Sequence, residues 1–338
     1  MFDRRSLLTG ATGAALALSG ALAAAPRTAL ARAARLPHRL RPGDVVGLVE
    51  PAGFSDGAFE MEAVAHTIRG MGLIPRFSRH VGARHGYLAG TDRGRAADIN
   101  AMFADERVRA VFAMRGGWGS ARLLPFLDWD MIRADPKLLI GFSDITALHL
   151  AFAARAGFPT IHGPNAANGW GRTSWESLWR LAFAGEAPVF RDDRQGIATI
   201  RPGMARGRLI GGNLAVLTAL VGTPWLPDFD GAILFLEDVN EAEYRIDRML
   251  SQLALSGLLG RVAGVVFGQC TRCTAGGADY SGFTIPELLH HYLAPLGVPA
   301  FSGANIGHVA NQLSLPAGAR VEIDAVAGSI RVLEPIVG

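Results

Sequence analysis

The sequence predicts an α/β protein: an amino-terminal parallel-sheet domain with helices on both faces, plus a smaller carboxy-terminal α/β domain. Three observations carry that expectation. Apolar strand-like runs, glycine-bearing loops and helical stripes alternate from Gly43 to Phe152, the rhythm of βαβ units. Over residues 186–206 the rhythm breaks into polar residues with Pro188, Pro202 and glycines, which places an interdomain connection there. The chain has 338 residues, 49% apolar and 19% charged, so it can bury the cores of about two domains and is not disordered.

Taken in order, residues 43–49 are a first strand, with Pro51-Ala52-Gly53 as the turn at its carboxyl end. Helical spacing runs over 59–71 until Gly72, and a short strand follows at 74–77. Gly90-Thr91-Asp92 reads as a loop and cap for a helix over 93–103, and 108–114 is the next buried strand. Arg115-Gly116-Gly117-Trp118-Gly119-Ser120 then forms a glycine loop before a helix holding Leu123 and Leu124. Past residue 206, strands are expected at 207–209, 233–236, 262–267, 320–324 and 329–333, with helices at 214–220, 245–259 and 285–293. The two domains thus span 42–185 and 206–336. Parallel sheets place their sites at the carboxyl ends of strands, so the loops at Pro51, Gly116 and Ser143 share one edge.

The amino terminus reads as an address. Arg4-Arg5 precedes an Ala/Leu/Gly run over 7–25, and Ala29-Leu30-Ala31 offers a small-x-small cleavage site before Arg32. That is the pattern of a twin-arginine export signal over residues 1–31, giving a periplasmic protein with no stable membrane insertion once the signal is removed. The formal net charge of +3 falls to about +1 without that segment, so the body offers no electrostatic case for nucleic acid or an anionic membrane. Lys137 is the single lysine, which reads as compositional bias rather than function.

Leu138-Leu139-Ile140 is a short buried strand, Gly141 punctuates it, and Ile145, Leu148 and Phe152 mark an amphipathic helix beyond. Ser143 therefore sits where strand turns into helix, the setting of a nucleophile elbow, although Ile145 stands where that motif has its second glycine. The N–H that follows opens a helix and suits a developing oxyanion. A plain helix cap is the alternative for this serine. The glycine loop fits neither a dinucleotide nor a P-loop spacing, so an oxyanion loop beside Ser143 suits it better than a phosphate site. Glu237 emerges directly from an apolar strand and needs a partner, whereas Glu241 and Glu243 read as solvated. His308 follows Gly307 in a later loop, and His149, on the Ser143 helix, should face elsewhere. Ser143, Glu237 and His308 then have the order nucleophile, acid, base of a Ser-His-acid triad. No His or Cys lies near Glu237 at ligand spacing, so neither metal nor cofactor is expected. Cys270-Thr271-Arg272-Cys273 holds both cysteines; with no second pair to complete a zinc site, it reads as a loop disulfide or two thiols, dispensable for catalysis.

These stretches, with Gly211-Gly212-Asn213-Leu214, Gly222-Thr223-Pro224-Trp225 and Tyr244-Arg245-Ile246-Asp247-Arg248, resemble the LD-carboxypeptidase family of serine peptidases, which includes microcin-immunity hydrolases. The resemblance implies Ser143 as nucleophile, His308 as general base and Glu237 as orienting acid. It implies an oxyanion hole from the backbone N–H groups of Gly117 and Asp144, substrate contacts at Gly116, Trp118 and Asn213, and a homodimer. Trp118 stands where the family commonly shows Tyr. The implied reaction is removal of terminal D-alanine from the diaminopimelate of a murein tetrapeptide. The rivals are an amidase acting on peptidyl-nucleotide antibiotics and an inactive periplasmic ligand-binding protein.

Overall fold

The computed structural model describes residues 35–55, 57–191, 196–274 and 280–338; the signal-like segment with Arg4-Arg5 and Ala29-Leu30-Ala31 lies outside the described residues. In chain order the first half runs β1 Val45–Val49, α1 Ala58–Gly70, β2 Ile74–Phe77, α2 Asp92–Ala104, β3 Val108–Ala113, α3 Trp129–Ala134, β4 Leu138–Gly141, α4 Thr146–Arg155 and β5 Thr160–His162. Then come α5 Arg172–Leu178, β6 Val189–Arg191, β7 Ala198–Arg201, β8 Met204–Asn213, α6 Leu214–Ala219, β9 Ile233–Val239 and α7 Glu243–Leu255. The chain closes with β10 Gly264–Thr271, α8 Ile285–Leu293, β11 Ala300–Ser302, β12 Leu315–Ala317, β13 Arg320–Asp324 and β14 Ser329–Val332.

One sheet has six strands in the order β12-β5-β4-β3-β1-β2, the other eight in the order β6-β14-β13-β8-β9-β10-β11-β7. β1 to β5 are parallel throughout, as the alternation predicts, and so are β8 to β11. The near-continuous apolar runs of β1, β3, β4 and β9 are buried on both faces, the usual state of central parallel strands. Antiparallel strands finish the edges: β12 on β5 in the first sheet, and β7, β13, β14 and β6 in the second.

Two expectations give way here. The connection placed over 186–206 is partly sheet, because it holds β6, β7 and the start of β8. β6 and β7 expose most of their residues, so they carry no apolar run to read. The helix expected around Leu123 and Leu124 is a 3-10 stretch, Ser120–Phe126, with Pro125 inside it. Proline lacks the N–H that an α-helix would need there.

The two halves are not sealed from each other. β12, from the carboxy-terminal half, edges the first sheet. One apolar cluster joins Phe103, Leu148 and Phe152 to Leu217, Leu234 and Leu250, so helices of the first half and strands of the second bury one another. Residues Arg35–Gly338 form one compact unit. The single lysine is structural. Lys137 is buried, and its Nζ donates to the carbonyls of Met102, Phe103 and Asp105 at the end of α2. Those carbonyls would otherwise be orphaned at the helix terminus. Among the described residues, no helix is long and apolar enough to cross a membrane.

Candidate active site

β4 delivers Ser143 on a backbone that few residues adopt. Its φ is +65°, in the left-handed region, and a short 3-10 turn, Ser143–Ile145, leads from it into α4. Such a conformation costs about 1–3 kcal/mol in a non-glycine residue and persists only where neighbours over-determine it. The neighbours are present. Asn165 Oδ1 accepts from Phe142 N at 3.1 Å, and buried His149 donates through Nε2 to Gly141 O at 2.8 Å while its Nδ1 accepts from Thr160 Oγ1 at 2.8 Å. Burial drops the His149 pKa to about 4, so the ring is neutral and works as a brace. Both ring nitrogens are engaged by Thr160 and Gly141, and neither bonds Ser143.

β9 and the loop after β11 bring the other two groups. His308 lies with Nε2 at 3.0 Å from Ser143 Oγ and Nδ1 at 2.8 Å from Glu237 Oε2. Glu237 is fully buried, and its other oxygen has no hydrogen-bond partner, so the imidazole is what satisfies this carboxylate. Gly307 explains the approach. With φ +101°, it packs so closely that a Cβ there would lie 2.4 Å from Glu237 Oε2. Phe142 covers the imidazole, ring centroids 4.8 Å apart. This chain of contacts can hand the serine proton to Nε2 while Glu237 holds Nδ1–H.

The glycine loop sits directly above. A Cβ on Gly116 would lie 3.0 Å from Ser143 Cβ and 3.2 Å from its Oγ. Gly53 N donates to Gly116 O at 3.0 Å, so the turn after β1 supports the loop from behind. Arg95 ties both together: its side chain is buried, its Nη1 donates to the carbonyls of Pro51 and Gly119, and its Nη2 to Asp92. Asp144 clamps the far end, accepting from Ser120 N at 2.7 Å through Oδ2 while Ser120 Oγ donates to its carbonyl. Burial raises the Asp144 pKa, and N–H donors from Ser120 and Gly119 pull it back. Gly117 and Asp144 thus lie on the two segments that flank Ser143. The cleft they border holds about 260 Å³ and is lined by Gly116, Gly117, Ser143, Asn165 and His308, with Arg115 paired to Glu60 at 3.0 Å on its rim.

Several expected residues land elsewhere. Asn213 does not line this cleft: its Oδ1 caps α6 through Val216 N at 3.1 Å, and its Nδ2 donates to Asp238 at 3.0 Å. Strand-end Asn before a helix is a capping signal, and that use explains it here. Trp118 is 44% exposed and lines neither this cleft nor its neighbour. Glu241 is not fully solvated but pairs with Arg245 at 3.6 Å, and Glu243 is buried in the first turn of α7. Cys270 and Cys273 form a disulfide. Asp238, next to Glu237, has its carboxyl pushed up to about 6 by burial, despite N–H donors from Val239, Asn213 and Ala215. Arg95, Asn165 and His149 had no legible signal beyond their places near strand ends and helix starts.

The fold and the site define a hydrolase of the peptidase kind. A sequence profile of the LD-carboxypeptidase N-terminal domain matches residues 46–163, and one of the LD-carboxypeptidase C-terminal domain matches residues 206–323. The chain belongs to the LD-carboxypeptidase family of serine peptidases, and is a carboxypeptidase. It is 42% identical over 307 residues to a Streptomyces coelicolor protein named as a carboxypeptidase, spanning 88% of this chain and 96% of that one. It is 35% identical over 284 residues to the murein tetrapeptide carboxypeptidase of Pseudomonas aeruginosa, spanning 81% and 91%. Among solved structures, the microcin C7 self-immunity protein, crystallised as a variant with adenosine monophosphate, superposes with a TM-score of 0.81 at 25% identity, over 90% of this chain and 99% of that one.

Proposed function

We propose that this carboxypeptidase hydrolyses the bond between diaminopimelate and the terminal D-alanine of murein tetrapeptides, with Ser143, His308 and Glu237 as its triad. The observation that carries the mechanism is the continuous contact from Ser143 Oγ to His308 Nε2 and from His308 Nδ1 to Glu237. Ser143 Oγ attacks the scissile carbonyl as its proton passes to Nε2. Backbone N–H groups of Gly117 and Asp144 receive the oxyanion. Protonated His308 then gives that proton to the amine of departing D-alanine, and water, activated by the same nitrogen, releases the acyl group. Glu237 holds the imidazole in the reactive tautomer throughout. The murein substrate is supported by the name of the Pseudomonas aeruginosa relative.

The site of action belongs to the same proposal. Arg4-Arg5 and Ala29-Leu30-Ala31 support twin-arginine export with cleavage before Arg32, where the enzyme would meet wall peptides in the periplasm. The likeness to the microcin C7 self-immunity protein supports a second reading, cleavage of an amide in a peptidyl-nucleotide. Purified protein incubated with a muramoyl tetrapeptide should release free D-alanine, and Glu241→Gln should match the wild type. Release from a peptidyl-nucleotide with none from the tetrapeptide would move the enzyme to the second reading. Full-length protein retained in the cytoplasm would end the export proposal.

A further inference from the structure

A second cleft, about 650 Å³, shares Phe142, Asn168 and His308 with the Ser143 cleft and opens beside the imidazole. Its composition is unlike the first. Arg272 lines it, with φ +55° in the turn that the Cys270–Cys273 disulfide closes. That turn ends β10 and is tied to the end of β9, three residues beyond Glu237, through Asn240 N donating to Thr271 O at 2.9 Å. Arg272 Nε donates to Asn240 Oδ1 at 2.7 Å, and no carboxylate among the described residues pairs with its guanidinium. Arg115 on the first cleft, by contrast, is neutralised by Glu60. Trp170, Asn311 and Gln312 also line this cleft, with their Nε1, Oδ1 and Oε1 atoms buried beneath its wall. Gln312 is 4% exposed.

Resting on the murein-peptide reading above, we infer that this second cleft receives the free end of the third residue's side chain, an amino-acid zwitterion, with Arg272 taking its carboxylate. The size difference assigns the sides: the small cleft under the glycine loop suits a single terminal residue, and the large one suits the acyl portion. Diaminopimelate ends in a carboxylate and an ammonium on one carbon. The guanidinium fork, with both terminal nitrogens unpaired among the described residues, matches a carboxylate. The disulfide and the hydrogen bond to Asn240 restrict Arg272 before the substrate arrives, which lowers the ordering cost of binding. The Cys270–Cys273 bridge is thus a positioning device for recognition and takes no part in the chemistry.

The test compares tetrapeptides whose third residue is meso-diaminopimelate, its side-chain carboxamide, or L-lysine. Wild-type enzyme should favour the free carboxylate by about 10- to 100-fold in kcat/KM, the range expected for a charged hydrogen bond. Arg272→Gln should raise KM for diaminopimelate peptide by that factor, hold kcat, and leave the carboxamide and lysine peptides unchanged. Arg272→Lys should recover part of the preference. Cys270→Ser with Cys273→Ser should reduce the preference by roughly three- to tenfold through KM. Equal losses on all three peptides in Arg272→Gln, or no preference in wild type, would overturn the assignment. Calorimetric binding of the matching tripeptides to wild type and Arg272→Gln reads the same preference without turnover. Discrimination in binding with no D-alanine release would therefore sink the peptidase reading and leave the cleft assignment standing.

Discussion

Ser143, just past the carboxyl end of a strand of the first sheet, and the Glu237–His308 pair, near the carboxyl end of a central strand of the second, are held by different means. The serine is placed by backbone: a left-handed residue on a strand-to-helix turn, with Asn165 and His149 bonded to the peptide groups just before it. The pair is placed by packing: a fully buried carboxylate whose neighbour must be glycine for the imidazole to reach it. A turn of that kind is written in a few adjacent residues. A contact across 71 positions of chain, as between Glu237 and His308, is written nowhere locally. The difference predicts that the serine side yields to changes in its buttresses, and the acid–base side to changes of volume.

The largest effect is expected at the contact between the two sides. Ser143→Ala and His308→Ala should each lower D-alanine release by about 10⁴-fold or more, because members of a triad fail as a unit. Glu237→Gln should be about tenfold to a hundredfold milder, since the imidazole still visits its working orientation. Steady-state assays on variants with unchanged circular dichroism decide it, and near-wild-type turnover in Ser143→Ala would remove the nucleophile.

Glycine substitutions probe the two walls of the site directly. Gly307→Ala places a methyl 2.4 Å from Glu237 Oε2 at φ +101° and should cost about 10²-fold in kcat through a displaced imidazole. Gly116→Ala meets Ser143 Cβ at 3.0 Å, a contact that small shifts can relieve, so roughly a tenfold loss is expected. The reverse order of severity in matched assays would mean that the loop over the serine is the less forgiving wall.

On the serine side, Arg95→Met leaves the Pro51 and Gly119 carbonyls without their shared donor. Unfolding in urea should show a loss of about 2–3 kcal/mol. An unchanged midpoint would make the buttress dispensable.

The smallest effect concerns acid. His149 has a folded pKa of about 4 against 6.5 for the free group, because burial disfavours its charge. The unfolded chain therefore takes up the proton first as pH falls. The stability this group contributes is complete above pH 6.5 and is lost as pH drops through 4. His162, buried beside it with both ring nitrogens unpaired, is shifted in the same direction. Between pH 6 and 4.5, His149→Phe should flatten the slope of unfolding free energy by at most about 1.4 kcal/mol per pH unit. A slope equal to wild type would show that other groups govern acid stability.

Legibility in the sequence follows the range of the interactions involved. The strands β1, β3, β4, β9 and β10 announced themselves because strands buried on both faces must be apolar throughout. β6 and β7 did not, because exposed edge strands are free to be polar, and so residues 186–206 looked like a connection. The strand-to-helix turn at Ser143 was readable from Gly141 and the stripe beyond it, and the burial of Glu237 from its exit out of an apolar strand. Asn213 misled, since a strand-end Asn serves a cap as readily as a ligand.

Local sequence sets the alternation of strands and helices, the sharp turn at Ser143 and the exit of Glu237 from an apolar strand, for these follow from periodicity, glycine and burial within a few residues. The tertiary structure alone decided that His308 meets both Ser143 and Glu237, that Arg95 and Asn165 brace the first sheet's loops, and that Arg272 lines a second cleft. Those outcomes come from distant segments converging on one edge, where packing between sheets, and not local preference, sets the distances.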